Sequence, residues 1–181
     1  MNATLSARSD LTAAGALTLL PGISPPAPYQ TALNTPIGKV LIEGSRSAIT
    51  RVEIVADDAP VGKGNRILSS ARKQLREYFK GQRAAFSIPL DNAAGTHFQR
   101  AVWRELQAIP IGQTITYHEL ARRVTGDVKA ARAVGRANGA NPFMILVPCH
   151  RVIGADGRLT GYRGGLKAKE WLLKHEKALM V

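Results

Sequence analysis

Between Thr35 and Val55 apolar and polar residues partly alternate in two short runs, GKVLIEG and ITRVEIV, separated by GSRSA. β-Branched residues in that rhythm predict two strands joined by a turn. The period then changes. In NRILSSARKQLREYFKGQR the residues Ile67, Ala71, Leu75, Tyr78 and Phe79 return every three or four positions, so they share one face of a helix, and Gly81 suits its C-terminal cap. FSIPL, residues 86–90, predicts a short extended piece, and DNAAG after it marks a boundary between two small domains.

The second half reads mostly as helix. Thr96 with Gln99 three positions on makes a capping box, and Phe98, Val102 and Leu106 then fall on one face of a helix that closes before IPIG. TITY is brief and extended. HELARRV and VKAARAVGRANG follow as two helices around TGD, in the order helix, short turn, helix. LKAKEWLLKHEK is a last amphipathic helix with its basic residues weighted toward the C-terminus. Between these helices lies the apolar run FMILV, read as a strand-like stretch that Pro148 ends.

Residues 1–28 are read as a flexible tail, because PGISPPAP cannot continue a helix or enter a sheet interior. LTAAGALTLL after Arg8 has the faint outline of a secretory signal, but Asp10 interrupts a region that is hardly basic. No apolar stretch is long enough to span a membrane.

Composition sharpens the picture at two points. With 45% hydrophobic residues among 181, the chain buries a real core, while 25 Lys and Arg against 13 Asp and Glu give a net charge of +12, which points to a polyanionic partner. The second helix of the pair is built from small residues: Ala130, Ala131, Ala133, Gly135, Ala137 and Gly139. Glycine costs about 1 kcal/mol in a helix interior relative to alanine, so something, another helix or a nucleic-acid backbone, is expected to approach it closely. Arg132 and Arg136 lie one turn apart beside Arg122, Arg123 and Lys129, which favours DNA.

The second point is the thiol. One cysteine excludes an internal disulfide and any multi-cysteine zinc site, and four scattered histidines have no ligand spacing, so no metal is expected. A single thiol fits a reducing compartment. Cys149 follows Pro148, which takes it out of a regular strand, and precedes His150 and Arg151, cationic neighbours of the kind that stabilise a thiolate. On extended backbone the next residue points to the opposite face, so a direct pair of Cys149 with His150 is not implied, and a water between them stays open. At this level three readings stay open: a DNA-modifying nucleophile, a DNA-binding sensor or regulator with no thiol chemistry, and a cysteine hydrolase.

NPFMILVPCHRVIG, preceded by KAARAVG and followed by GYRGGLKAKEWLLKHE, resembles the O6-alkylguanine-DNA alkyltransferase family, the methylated-DNA-protein-cysteine methyltransferases. The resemblance runs from about Thr35 to about Glu176 and is strongest from Phe98 onward. It implies an α/β protein with a small N-terminal ribonuclease-H-like α/β domain, residues 29–91, and a mostly helical C-terminal domain with a helix-turn-helix, residues 92–181. It also implies that Cys149 accepts the alkyl group of O6-alkylguanine, and less well of O4-alkylthymine, after the nucleotide is flipped out of duplex DNA. His150 is then the base acting through water, Glu176 its orienting partner, and Asn141 the hinge of the active-site turn. Tyr117 rotates the nucleotide and assists departure of guanine, and Arg132 fills the gap left in the duplex. Ala130, Ala131, Ala133 and Gly135 face the minor groove. Val152, Tyr162, Arg163 and Lys169 line the guanine pocket, with Arg163 standing where some relatives have serine. No cofactor is implied, since the protein itself is consumed. The expected setting is a monomer in the cytoplasm, nucleoid-associated if bacterial, bound to double-stranded DNA and to no membrane.

Overall fold

Three strands, β1 (Tyr29–Thr35), β2 (Gly38–Gly44) and β3 (Ile49–Val55), form an antiparallel meander with β2 in the middle. The computed structural model describes residues 29–59, 61–91 and 93–179; the tail expected over residues 1–28 lies outside them. The pattern predicts β2 and β3 but misses β1. YQTALNT has a single buried position, Leu33, and its pairing depends on a turn at Pro36–Ile37 that sets Thr35 opposite Gly38.

Helix α1 (Arg66–Phe79) starts where the Asn65 side chain accepts a hydrogen bond from the Leu68 N–H, at 3.0 Å. It lays Leu68, Ala71, Leu75 and Tyr78 against the sheet, the face that the sequence periodicity predicts. Gly81, at φ +70°, takes the left-handed conformation that turns the chain away after the cap.

The free edge of β3 is where the sheet takes hold of the rest of the molecule. The Ile49 N–H donates to Pro89 O and Ile49 O accepts from the Asp91 N–H, so the piece expected to be extended at 86–90 joins the sheet only at its end. Three residues further on, the Val52 N–H donates to Pro142 O at 2.8 Å and Val52 O accepts from the Met144 N–H at 3.1 Å. FMILV is not a strand, which corrects the sequence reading. Phe143 and Met144 follow β3, and the chain then doubles back, with Ile145 at φ +72° and the Val147 N–H donating to Phe143 O. All five residues are buried, and an apolar run buried on every side has no period that separates loop from strand.

In the second half α2 (His97–Gln107) opens with the predicted capping box: the Gln99 N–H donates to Thr96 Oγ1, and the Thr96 N–H donates to Gln99 Oε1. A two-residue strand β4 (Ile115–Thr116) leads into α3 (Tyr117–Thr125), a 3-10 turn at Val128–Ala130 and α4 (Ala131–Gly139). TITY is therefore extended only in its middle, because the Thr116 side chain caps α3 and makes Tyr117 its first residue. VKAARAVGRANG likewise divides, because Asp127 caps the 3-10 turn first. A second 3-10 turn, Cys149–Arg151, runs into β5 (Val152–Ile153), which pairs in parallel with β4; α5 (Leu166–His175) follows. Trp103 of α2 donates its indole N–H to Ala137 O of α4 at 2.8 Å. Buried apolar residues from both halves, Val52 and Leu75 with Leu106 and Leu172 among them, form one continuous cluster.

Two left-handed glycines separate backbone freedom from space. At Gly95, φ +77°, an added Cβ would lie 2.5 Å from the Trp103 ring, whereas at Gly81 nothing lies within 4 Å. Gly81→Ala should therefore cost about 1–2 kcal/mol, the strain of the left-handed backbone alone. Gly95→Ala should cost at least about 1 kcal/mol more by displacing the indole. Thermal unfolding of the two variants checks this, and equal losses would contradict it.

Candidate active site

Glu176, the residue that caps α5, is 5% exposed and its carboxylate accepts four hydrogen bonds. Oε1 receives the Tyr78 hydroxyl at 2.7 Å, Arg151 Nη2 at 2.9 Å and His150 Nε2 at 3.0 Å; Oε2 receives Arg151 Nε at 2.7 Å. Burial by itself raises a carboxyl's pKa, but the bonds from His150 and Arg151 more than reverse that, holding Glu176 at about 2. An ionised Oε1 has no proton to give, so His150 carries its proton on Nε2. Its Nδ1 is then a bare lone pair, buried and without a hydrogen-bond partner among the described residues. Burial also lowers the pKa of the imidazole, by more than the Glu176 carboxylate raises it, which keeps it neutral with Nδ1 free to take a proton.

The thiol sits at the start of the 3-10 turn before this histidine, 6% exposed. Its position is set from two sides. Asn141 bridges the preceding loop, donating Nδ2 to Val147 O at 2.9 Å and accepting the Phe143 N–H at 3.0 Å, and this grip holds Ile145 in a backbone region that costs a β-branched residue about 1–2 kcal/mol. From α4, Asn138 donates to Cys149 O at 3.5 Å. Burial raises the thiol pKa; the Asn141 side chain and the charges of Lys169 and Arg163 pull it down by less. Cys149 is thus a thiol at rest, which needs a base to become a nucleophile.

That electrostatic picture corrects one expectation. Arg151 does not face the thiol: its guanidinium is spent on Glu176 and, through Nη1, on Ile109 O. The backbone at 149–151 is a 3-10 turn rather than extended, and among the described residues no direct hydrogen bond joins Cys149 to His150. The cations that act on the thiol are Lys169 and Arg163. Lys169 is fully buried, donating to Val152 O at 2.6 Å and Thr160 O at 2.7 Å, and burial lowers its pKa to about 8. Arg163 donates Nη2 to Asn141 O at 3.0 Å. Tyr162 crosses the His150 ring edge to face, and its buried hydroxyl has no partner among the described residues.

Tyr117 is half-buried at the start of α3, close enough to Cys149 that a thiolate would raise its pKa; burial raises it more, with the Thr160 and Asn138 side chains pulling the other way. Its ring lies against Gly135, where an added Cβ would sit 3.6 Å from Cδ1. The neighbour that approaches the small-residue helix at this point is therefore a side chain of the protein. Gly139 faces open space, Ala130, Ala131 and Ala133 are half-buried, and Arg132 and Arg136 are exposed. Arg122 and Arg123 both bond to Glu119 on their own helix, so two of the cations grouped with Arg132 are partly neutralised.

The fold thus brings Cys149, His150, Glu176, Asn141, Tyr117, Tyr162, Val152, Arg163 and Lys169 around one turn, and leaves Arg132 on the outer side of α4. Sequence reasoning missed Tyr78, Asn138 and the role of Arg151. Only Arg151 had a signal, since a charged residue next to a buried turn needs a counter-charge.

Comparison with known proteins gives concordant matches. The DNA binding domain of 6-O-methylguanine DNA methyltransferase matches residues 97–178, and the ribonuclease-like domain of the same family matches residues 29–92. The chain is 42% identical to the methylated-DNA–protein-cysteine methyltransferase of Methanosarcina acetivorans over 154 residues, 82% of this chain and 97% of that one. It is 45% identical to the protein of the same name from Mycolicibacterium paratuberculosis, again over 154 residues, 82% of this chain and 92% of that one. Among solved structures it is similar to the O6-methylguanine methyltransferase of Mycobacterium tuberculosis, alone and in complex with DNA, with a TM-score of 0.74, 41% identity, and coverage of 83% of this chain and 93% of that one.

The buried carboxylate predicts an acid limb. Because Glu176 has a pKa of about 2 when folded against an ordinary 4.5, its stabilisation is complete above about 4.5 and is lost as the pH falls through 2. Glu176→Gln should flatten that limb and cost about 3–5 kcal/mol near neutral pH by leaving Arg151 buried without its counter-charge. Tyr78→Phe, which removes one of the four bonds, should change both far less. Urea unfolding of the three proteins as a function of pH tests this, and an unchanged acid limb in Glu176→Gln would refute it.

Proposed function

The chain belongs to the 6-O-methylguanine DNA methyltransferase family, and we propose that it repairs duplex DNA by moving the alkyl group of O6-alkylguanine, and less well that of O4-alkylthymine, onto Cys149 in a single turnover. The observation that carries this reading is the pairing of the sole thiol with a histidine whose bare Nδ1 is dictated by the ionised Glu176.

The chemistry balances without a cofactor. The thiol proton passes through a water to His150 Nδ1, and Sγ attacks the alkyl carbon in line with O6. The S–C bond forms as the C–O6 bond breaks, and the electron pair stays on O6. Tyr117 hands a proton to the departing guanine and recovers one from the imidazolium. The thioether that remains is stable, so each protein molecule reacts once.

Every other role follows from reach. A base inside the stack cannot meet a thiol that is 6% exposed, so the nucleotide must be flipped out. In this reading α4 enters the minor groove by its small face at Ala130, Ala131, Ala133 and Gly135, and Arg132 takes the vacated place in the duplex. Val152, Tyr162, Arg163 and Lys169 wall the pocket, where the unpartnered Tyr162 hydroxyl gives the base edge a polar contact. We read residues 29–91 as the unit that supports the site and residues 92–181 as the unit that acts on DNA. A consumable thiol must stay reduced, which assigns the protein to the cytoplasm, on the nucleoid in a bacterium. No described helix is long and apolar enough to cross a membrane. One copy carries every residue named, so a free monomer suffices.

Incubation with a duplex holding one O6-methylguanine should add one methyl mass to the peptide containing Cys149 and should stop after one equivalent. A lesion that persists with no mass gain would leave a DNA-binding sensor, and continued turnover a hydrolase. Cys149→Ser should keep DNA affinity and lose transfer. Arg132→Ala should slow lesion processing by about 10-fold or more, the scale of one charge-assisted hydrogen bond, in single-turnover assays, while Cys149 still reacts normally with a free alkylated base. A variant with normal processing of duplex lesions would remove Arg132 from its role.

A further inference from the structure

We propose that the outer face of α1 is a second binding surface for duplex DNA, separate from the helix pair α3 and α4; the inference rests on the DNA reading above. The charge that called for a polyanionic partner is not concentrated where the helix pair is. Residues 66–83 carry Arg66, Arg72, Lys73, Arg76, Lys80 and Arg83 against Glu77 alone, a net of +5 out of the chain's +12. Residues 117–139 carry five cations against Glu119 and Asp127, a net of +3, and two of those five are bonded to Glu119.

Position on the helix turns this excess into a surface. At 3.6 residues per turn, Arg72, Arg76 and Lys80 form one row and Arg66 and Lys73 lie beside it, opposite the buried Leu68, Ala71, Leu75 and Tyr78. From Arg66 to Lys80 these cations span the length of α1, about 20 Å at 1.5 Å per residue, over which one DNA strand presents about six phosphates. Not all of these cations are available. Arg72 donates Nε to Ala32 O and Arg83 is paired with Glu77. Arg66, Arg76 and Lys80 are exposed and make no ion pair or side-chain hydrogen bond among the described residues. Arg66 opens the helix, Arg76 lies in its interior and Lys80 caps it, and no ion-pair partner among the described residues accounts for them.

A second copy of the chain is a poorer occupant than DNA. Glu43, Glu53, Glu77, Glu119, Glu170 and Glu176 already face Arg, Lys or His partners within their own chain. The described carboxylates without an ion pair, Asp57, Asp58, Asp91, Glu105 and Asp127, are spread over separate segments with at most two adjacent, so no acidic row matches the basic helix. α1 packs on the sheet and α4 on α2 and α3, which separates the two basic faces and suits a duplex longer than the helix pair covers.

The test is a variant with Arg66→Gln, Arg76→Gln and Lys80→Gln, exposed changes that keep helix propensity. Binding to undamaged duplexes of about 12 and about 40 base pairs is measured against salt, since each phosphate that is no longer neutralised lowers the log–log slope by about 0.9. The expected result is a slope less steep by about 2 to 3 on the long duplex and unchanged on the short one. Single-turnover transfer from a lesion in the short duplex should stay as in the unmodified chain, which also shows that the variant folds. An unchanged slope on the long duplex overturns the proposal, and so does an equal fall on both, which would merge α1 with the footprint of the helix pair. Vesicles containing phosphatidylserine form a third arm: α1-dependent binding to them with an unchanged DNA slope assigns the face to anionic lipid and overturns it as well. Absence of transfer by the unmodified chain would instead refute the repair reading.

Discussion

A carboxylate taken out of water stays ionised only when donors surround it, and the interior of this protein is arranged to meet that demand at Glu176. The four bonds it accepts come from Tyr78 on α1, Arg151 and His150 on the thiol turn, and its own place at the end of α5 brings the three together. Arg151 then reaches on to Ile109, fixing the loop after α2. Neutralising or moving this one group would leave a buried guanidinium, an imidazole with no set tautomer and a phenol with nothing to donate to. Packing holds the halves of the molecule in contact, and the carboxylate decides the register in which they meet.

The thiol obeys the opposite constraint. It is kept neutral by burial, so reactivity is deferred until a base takes its proton. Cations near it are few and engaged: Lys169 on the carbonyls of Val152 and Thr160, Arg163 on that of Asn141. Such an arrangement protects a reagent that is used once. A thiolate permanently exposed to solvent would be open to oxidation and to any passing electrophile.

How much of this was legible in the sequence depended on the range of the interaction. Local rules worked where the cause is local. The capping box of Thr96 and Gln99, the apolar face of α1, and the order of α3, turn and α4 are all set by neighbours within a few positions. β1 escaped because YQTALNT draws its stability from pairing with β2 rather than from its own pattern. FMILV escaped because complete burial erases periodicity, and its path is fixed by hydrogen bonds to Val52 and Asn141. In the site, Cys149 and its histidine were legible as a motif, and their partners through resemblance to a family. Tyr78 carried no mark at all: in the helix pattern it is one more core aromatic, and its hydroxyl gains a task only when Glu176 arrives from 98 residues away.

That separation has a kinetic side. The bonds to Glu176 close loops of 25 residues to Arg151 and 98 to Tyr78, and Arg151 closes another of 42 to Ile109. Loop-closure entropy makes such contacts later events than the short-range pairing of the hairpins and helical turns. During most of folding His150 has no fixed tautomer and Cys149 is an ordinary cysteine. The chain becomes reactive only when its longest loops have closed, so competence at the thiol reports completion of the fold.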